Sequence, residues 1–293
     1  MSTAAIIDGK KISEKIRQEI REEVYAIQRD KNITPCLAVI LVGNNPASVS
    51  YVTGKRKALA DLGMEDRTIK FPEDVDVLEL LQTIDKLNKD PLVHGILVQL
   101  PLPSHINERT ILNVIDPNKD VDCFHPTNIG KMFLGERDCF LPCTPHGILI
   151  LLKEMRIDTE GKKAVVIGRS NIVGKPVAAL LASKKFNCTV TLCHTKTQNL
   201  SEITKEADIL IVASGRPNTV TADMIKEGAV VIDVGVNRIP DATKKSGFRL
   251  VGDCDFEGMK DKAGYITPVP GGVGPMTITM LMWNTVQAAK RKL

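Results

Sequence analysis

Aromatic residues are scarce: 1 Trp, 3 Tyr and 7 Phe make up 4% of 293 residues, and none is interleaved with a basic run. That excludes the stacking platforms on which single-stranded nucleic acid is bound. The chain also lacks a dominant charge, since 39 basic against 35 acidic residues leave +4, with no block of like charge to act as an arm for nucleic acid or membrane. No apolar run approaches the roughly 18 residues that a membrane span needs. The start, Met1-Ser-Thr-Ala-Ala-Ile-Ile-Asp8, has no basic region of the kind that opens a secretion signal. Seven cysteines at 36, 123, 139, 143, 188, 193 and 254 give neither an even disulfide framework nor a paired C-x-x-C zinc site. Cys139 with Cys143, and Cys193 beside His194, read as metal ligands or, better, as small buried thiols. The expectation is a cytoplasmic protein in a reducing compartment, with no metal and no nucleic-acid or membrane partner.

What is present is an ordinary globular composition, 43% hydrophobic and 25% charged. At roughly 150 residues per domain the length suggests two domains. Ile12, Ile16, Ile20, Val24 and Ile27 step by four, four, four and three, the spacing of an amphipathic helix over residues 10–30. The run CLAVILV from Cys36 to Val42 predicts a buried strand. Asn45-Pro46 opens a helix reaching Leu62, another covers Val77 to Leu87, and Gly95 to Leu100 predicts a strand stopped by Pro101-Leu-Pro103. Residues 118–144 carry breakers and little periodicity, which predicts a long irregular connector of functional use. Beyond it a helix over 146–154 and strands at 164–167, 188–193, 209–213 and 229–234 alternate, followed by a final helix over 275–293. Strands alternating with helices imply parallel sheets covered on both faces.

The strand at 164–167 runs into Gly168-Arg-Ser-Asn-Ile-Val-Gly174. Backbone amides at such a turn meet a pyrophosphate, yet the middle glycine of G-x-G-x-x-G is missing, so on the glycines alone a structural turn serves equally well. The end of the next strand carries more information. An NAD site places an acid there against the ribose hydroxyls, whereas this chain reads Cys193-His194-Thr195-Lys196-Thr197. With Arg169 in the turn, that charge favours a 2′-phosphate and so NADP, unless Arg169 and Lys196 are solvated surface charges.

Tyr51 and Lys55 stand four apart on a predicted helix and share a face. Short-chain dehydrogenases use such a pair, but place it after their glycine turn, whereas here it precedes Gly168, so the pair would face the cofactor from a separate domain. Gln99, at the end of a strand, is either a satisfied core amide or a group tuning a neighbour. Asp122 lies in the irregular connector, where a carboxylate is commonly solvated or an N-cap. Pro268-Val-Pro-Gly-Gly-Val-Gly-Pro275 fixes a loop with close backbone approach before the last helix.

Taken together, ASVSYVTGK (Ala47 to Lys55), GILVQLPLP (Gly95 to Pro103), KDVD (Lys119 to Asp122), PCTP (Pro142 to Pro145), GRSNIVGKP (Gly168 to Pro176) and TPVPGGVGPMT (Thr267 to Thr277) resemble, in order and over essentially the whole chain, the bifunctional methylenetetrahydrofolate dehydrogenase/cyclohydrolases. The resemblance implies two α/β domains with a cleft between them. Residues 1–145 plus 276–293 would form a catalytic, folate-binding domain, and residues 146–275 a Rossmann-like NADP-binding domain. It implies oxidation of 5,10-methylenetetrahydrofolate by NADP and hydrolysis of the methenyl product to 10-formyltetrahydrofolate, within the one-carbon metabolism that feeds purine biosynthesis. A homodimer formed through the nucleotide domain is implied as well. By the same resemblance Lys55 is the base of the hydrolysis, oriented by Gln99. Tyr51, Gln99, Leu100, Asp122, Gly272 and Pro275 border the folate, with Asp122 accepting from the pterin's N–H groups. Gly168, Arg169, Ser170, Gly174, Thr195 and Val236 hold the nucleotide, Thr195 standing where relatives usually have serine. Cys123 departs from the family, which usually has glycine there; if that position takes a positive φ, the cysteine is strained. Retention of Lys55 and Gln99 argues against a monofunctional dehydrogenase, and retention of all four catalytic candidates argues against a non-catalytic nucleotide-binding regulator.

Overall fold

In the computed structural model, residues 3–136, 138–244 and 247–291 are described. The elements in chain order are β1 (Ala5–Ile6), α1 (Gly9–Lys31), β2 (Cys36–Val42), α2 (Pro46–Asp61), β3 (Glu65–Phe71), α3 (Val77–Lys89), β4 (Gly95–Val98), α4 (Glu108–Asn113), α5 (Pro126–Leu134), α6 (Cys143–Glu154) and β5 (Lys163–Ile167). They continue with α7 (Gly174–Leu181), β6 (Thr189–Cys193), α8 (Leu200–Lys205), β7 (Ile209–Val212), β8 (Val230–Asp233), β9 (Asn237–Pro240), β10 (Phe248–Val251), α9 (Phe256–Met259), β11 (Tyr265–Ile266) and α10 (Val273–Lys290). Contacts divide the chain into two units: Glu14–Cys143 with the chain from Ile278 on, and Thr144–Thr277 with the chain up to Ser13.

The first unit is built on a three-stranded parallel sheet, β3-β2-β4. All seven residues of β2 are buried, as a central parallel strand covered on both faces requires. Ala38, Ile40 and Val42 pack with Leu80, Ile84, Ile96 and Ile111 in one core, while Ile20 and Val24 bury the apolar stripe of α1. Helices α2 and α3 both start on side-chain caps: Asn45 Oδ1 accepts from the amides of Ala47 and Ser48 ahead of α2, and Asp76 Oδ1 from that of Leu78 ahead of α3.

Strand β3 gives no apolar signal because it is an edge: EDRTIKF is only partly buried and its Arg67 bridges Glu65 and Asp90, the charge pattern that keeps edges from pairing with other chains. The connector expected to be irregular over 118–144 in fact contains α5, hidden by its breakers. His125 caps its start by accepting from Thr127 N, Pro126 occupies its first turn, and Gly135 ends it in the left-handed region.

The second unit holds a six-stranded sheet, β1-β11-β8-β7-β5-β6, parallel throughout. From β5 the chain goes outward to β6 and returns across β5 to β7, so the strand order reverses beside β5. Open parallel sheets bind ligands at the carboxyl ends of the strands flanking such a reversal. One expectation about this unit is corrected. The sequence places the N-terminal residues in the first domain, but β1 pairs with β11, Ala5 against Tyr265 and Ile6 against Ile266, and so belongs to this sheet. A two-residue strand has no period to read, and its partner lies far along the sequence.

Candidate active site

Lys55 occupies the buried face of α2 together with Ser48, Val52, Ala58 and Leu59. Its residue exposure is 8%, which is rare for lysine. The ammonium donates to Gln99 Oε1 at 2.9 Å, while Gln99 Nε2 donates to the carbonyl of Leu100 at 2.8 Å. The amide is therefore fixed by its own backbone, with its oxygen aimed at Lys55. Gln99 lies one residue past β4, and its own N–H donates to the carbonyl of Ile40 in β2, so the sheet sets its position. Burial lowers the Lys55 pKa, and the negative charge of nearby Asp122 opposes the shift.

Asp122 is held from three sides. Asp120, 2% exposed, accepts from the amides of Phe124 and His125 and from Asn128 Nδ2, clamping the turn that contains Asp122. Asn284 of α10 donates to the carbonyls of Val121 and Leu141. The Cys143 thiol donates to the carbonyl of Val121, next to Asp122, at 3.4 Å, and burial raises the pKa of Asp122 while Lys55 lowers it. Burial also pushes Asp120 up to about 6. Sequence reasoning missed these supports. The signal for Asn284 was a lone amide within the apolar run of the last helix; for Asp120 there was none, because two aspartates in K-D-V-D look alike until the turn is folded.

Cys123 has a φ of 59° and is fully buried, its thiol donating to the carbonyl of Phe140 at 3.0 Å. The strain foreseen if this position took a positive φ is therefore present. Left-handed backbone costs a non-glycine residue roughly 1–2 kcal/mol. Cys123→Gly removes that cost and loses the buried thiol's contacts, so urea unfolding should shift by less than about 1 kcal/mol and the Michaelis constant for the substrate should stay level or fall. A collapse in activity would show that Asp122 depends on the thiol for its orientation.

Gln99, Lys55 and Asp122 thus come together in the first unit. Tyr51 shares their helix and is 46% exposed, while Leu100 is half-buried beside Gln99. Ser48, seven residues before Lys55 on the same face, is buried with no partner for its hydroxyl. Gly272 and Pro275 belong to the second unit. Gly272 is buried, and Pro275 lies inside the first turn of α10 rather than in a loop before it, a place where its missing N–H costs nothing.

In the second unit, β5 ends at Gly168, whose φ is +112°; a Cβ there would stand 2.1 Å from the carbonyl oxygen of Ala213. No other residue fits so close an approach. Ser170 Oγ accepts from the amides of Val173 and Gly174 at the entrance to α7. At the end of β6, His194 N donates to Thr197 Oγ1 and Lys196 N to His194 Nδ1, leaving Thr195 and Lys196 exposed on a tight turn. Arg169 is exposed too, and among the described residues neither it nor Lys196 is engaged in an ion pair. A hydroxyl and two cations without a carboxylate suit a 2′-phosphate, so these residues fit NADP. Val236, 46% exposed, follows the carboxyl end of β8. No cluster of three metal-ligating side chains occurs among the described residues. Cys143 and Cys193 are buried, as the thiol reading held, and Cys139 is partly exposed.

A parallel sheet with a glycine turn at its reversal, and a buried lysine held by an amide and flanked by a carboxylate, define a nucleotide-dependent α/β enzyme with acid–base capacity. The family description "tetrahydrofolate dehydrogenase/cyclohydrolase, catalytic domain" matches residues 7–122, and its NAD(P)-binding domain matches residues 142–293. The chain is 57% identical over 291 residues to the bifunctional protein FolD of Bacillus subtilis, covering 99% of each. Among solved structures it matches the bifunctional enzyme FolD of Campylobacter jejuni with a TM-score of 0.94 and 51% identity, covering 99% of this chain and 100% of that one. It matches FolD of Trypanosoma brucei, complexed with NADP cofactor and inhibitor, with a TM-score of 0.96 and 40% identity over 100% and 99%. The protein therefore belongs to the tetrahydrofolate dehydrogenase/cyclohydrolase family, with a catalytic and an NAD(P)-binding domain.

Proposed function

We propose that this protein oxidises 5,10-methylenetetrahydrofolate with NADP and hydrolyses the resulting methenyl compound to 10-formyltetrahydrofolate, with Lys55 as the base of the second reaction. The observation that carries this reading is the buried Lys55 ammonium held at 2.9 Å by Gln99. NADP, when bound, accepts the hydride. The carbon that loses it lies between two nitrogens whose lone pairs stabilise the cation, so that reaction calls for positioning more than for an acid or base. Hydrolysis adds water to the cation and releases a proton that a base must take up. Lys55 accepts it only when neutral, and its burial lowers the cost of that form. Gln99 offers a neutral oxygen that orients Nζ without holding a proton there, as a carboxylate would. Asp122 accepts hydrogen bonds from the pterin's N–H groups, which a carboxylate does in bidentate fashion. Tyr51 packs on the ring system.

Hydrolysis should rise with pH as Lys55 deprotonates and level off at a pH below the 10.5 of an ordinary lysine, because burial has moved its pKa down. Initial rates of methenyl loss between about pH 6 and 10, corrected for the uncatalysed reaction, read this directly. A rate falling throughout that range would remove Lys55 as the base. For the pair of activities, purified protein is given methylenetetrahydrofolate with NADP and then with NAD, while reduced nucleotide and methenyl compound are followed together by absorbance. NADPH should form without equal accumulation of methenyl compound; stoichiometric accumulation would mean that the hydrolytic half is missing.

The same reading includes a homodimer, supported by the edge strand β6, where Thr189, Thr191 and Leu192 are exposed; sedimentation at micromolar concentration tests it. Seven free cysteines support a reducing, cytoplasmic setting. The products would supply one-carbon units to purine biosynthesis.

A further inference from the structure

Two buried carboxylates of the second unit, Asp233 and Asp253, are 3% and 0% exposed and have no part in the chemistry above. Asp253 Oδ2 accepts from Ser214 N at 2.7 Å, Ser214 Oγ at 2.9 Å and Gly215 N at 2.8 Å, while Oδ1 accepts from Asn237 Nδ2 at 2.8 Å. One side chain therefore ties the loop that leaves β7 to the segment that leaves β8. Asp233 sits behind it: its Oδ1 accepts from Gly235 N and Asp253 N, and its Oδ2 from Cys254 N. The packing leaves no slack, since a Cβ on Gly235 would stand 2.0 Å from Asp253 Oδ1.

The tied loops are those a dinucleotide would meet. Ala213 N donates to Ile167 O at 2.8 Å, and the Ala213 carbonyl is the atom that abuts Gly168, so the loop after β7 forms one wall of the glycine turn. Thr195 and Lys196, at the end of β6, lie on the opposite side of β5 from β7. If they take the 2′-phosphate, the other end of the dinucleotide runs over the carboxyl ends of β7 and β8. All four donors to Asp253 are neutral, so its charge is not spent on a salt bridge; it orients amides and a hydroxyl in a site where leaving them unpaired would be costly.

We propose that Asp253 is a positioning residue for the nicotinamide half of NADP, holding residues 213–215 and 234–237 in the shape that receives it. The proposal rests on the NADP reading given above and adds to it a determinant of cofactor affinity that touches no cofactor atom. Asp253→Asn places an amide NH2 against N–H donors or vacates one of the two arms. In the full-length protein, calorimetric Kd and the Michaelis constant for NADP should rise about tenfold or more, while the Michaelis constant for methylenetetrahydrofolate changes little. Hydrolysis of added methenyl compound, assayed without nucleotide, serves as an internal control because Lys55, Gln99 and Asp122 all belong to the other unit; it should stay within about twofold. Asn237→Ala, which removes the donor to Oδ1 together with its bond to the Gly252 carbonyl, should raise the Kd for NADP a few-fold and decides the matter if the first variant does not fold. Unchanged NADP affinity in a folded variant overturns the proposal. So does a parallel loss of hydrolysis and oxidation, which would mark Asp253 as a support of the whole fold. If the wild-type protein neither binds nor reduces NADP, it is the cofactor reading that fails, not the role of Asp253 within it.

Discussion

Lys55→Met should lower hydrolysis of the methenyl compound by about a hundred- to ten-thousand-fold, the range that a positioned general base contributes. Methionine keeps the length and apolar character of the side chain, so the buried face of α2 remains filled. What disappears is the amine held by Gln99 and the positive charge that lowers the Asp122 pKa. Oxidation should survive to a larger extent, because the departing hydride needs no base. The variant should therefore convert the bifunctional time course into one in which NADPH and methenyl compound rise together. Loss of the buried charge also removes a desolvation cost while leaving the Gln99 oxygen without a donor, so the melting temperature should move only modestly. Hydrolysis at the wild-type rate would show that a different group takes the proton, and the pH profile would then have to be reassigned.

Gly168→Ala should have an effect of similar size on the other reaction. A methyl group 2.1 Å from the Ala213 carbonyl oxygen cannot be accommodated by rotating a side chain, since the obstacle is backbone, and φ at +112° is closed to L residues. The turn must open or the loop after β7 must move. Displacing the nucleotide by about an ångström is worth about a hundredfold in rate, and the strain costs about 3 kcal/mol of stability. NADP-linked oxidation should fall by at least that factor, while hydrolysis measured at a temperature where the variant stays folded continues. The two variants separate the activities in opposite directions, and a single protein preparation assayed both ways reads each. Normal NADP kinetics in Gly168→Ala would mean that the turn serves the fold alone.

Much of this was open to a reader of the sequence. A seven-residue apolar run with no polar alternation has to be a strand covered on both faces, and β2 has those bounds. Asn45-Pro46 opens a helix because a side-chain cap and a fixed φ both favour that start, and α2 begins there. The missing acid after β6 pointed to NADP because charge type survives folding unchanged. What could not be read were elements whose signal is carried by distant partners. Strand β3 is polar because it is an edge, β1 has two residues, and α5 is made of residues that individually read as breakers.

Residue types and their order set the chemistry at hand: where an amine, an amide, a carboxylate, a glycine turn and a cation stand along the chain. Only the tertiary structure decided how those groups behave. The Lys55 pKa is lowered because α2 buries the side chain, and its nitrogen is oriented because the end of β4 brings an amide oxygen to it. The turn that carries Asp122 is held by Asp120, Asn284 and Cys143, residues up to 163 positions away from the segment they hold. A side chain's type is a local property, whereas its pKa and orientation depend on the dielectric and on the donors around it, and those are assembled only when remote segments pack.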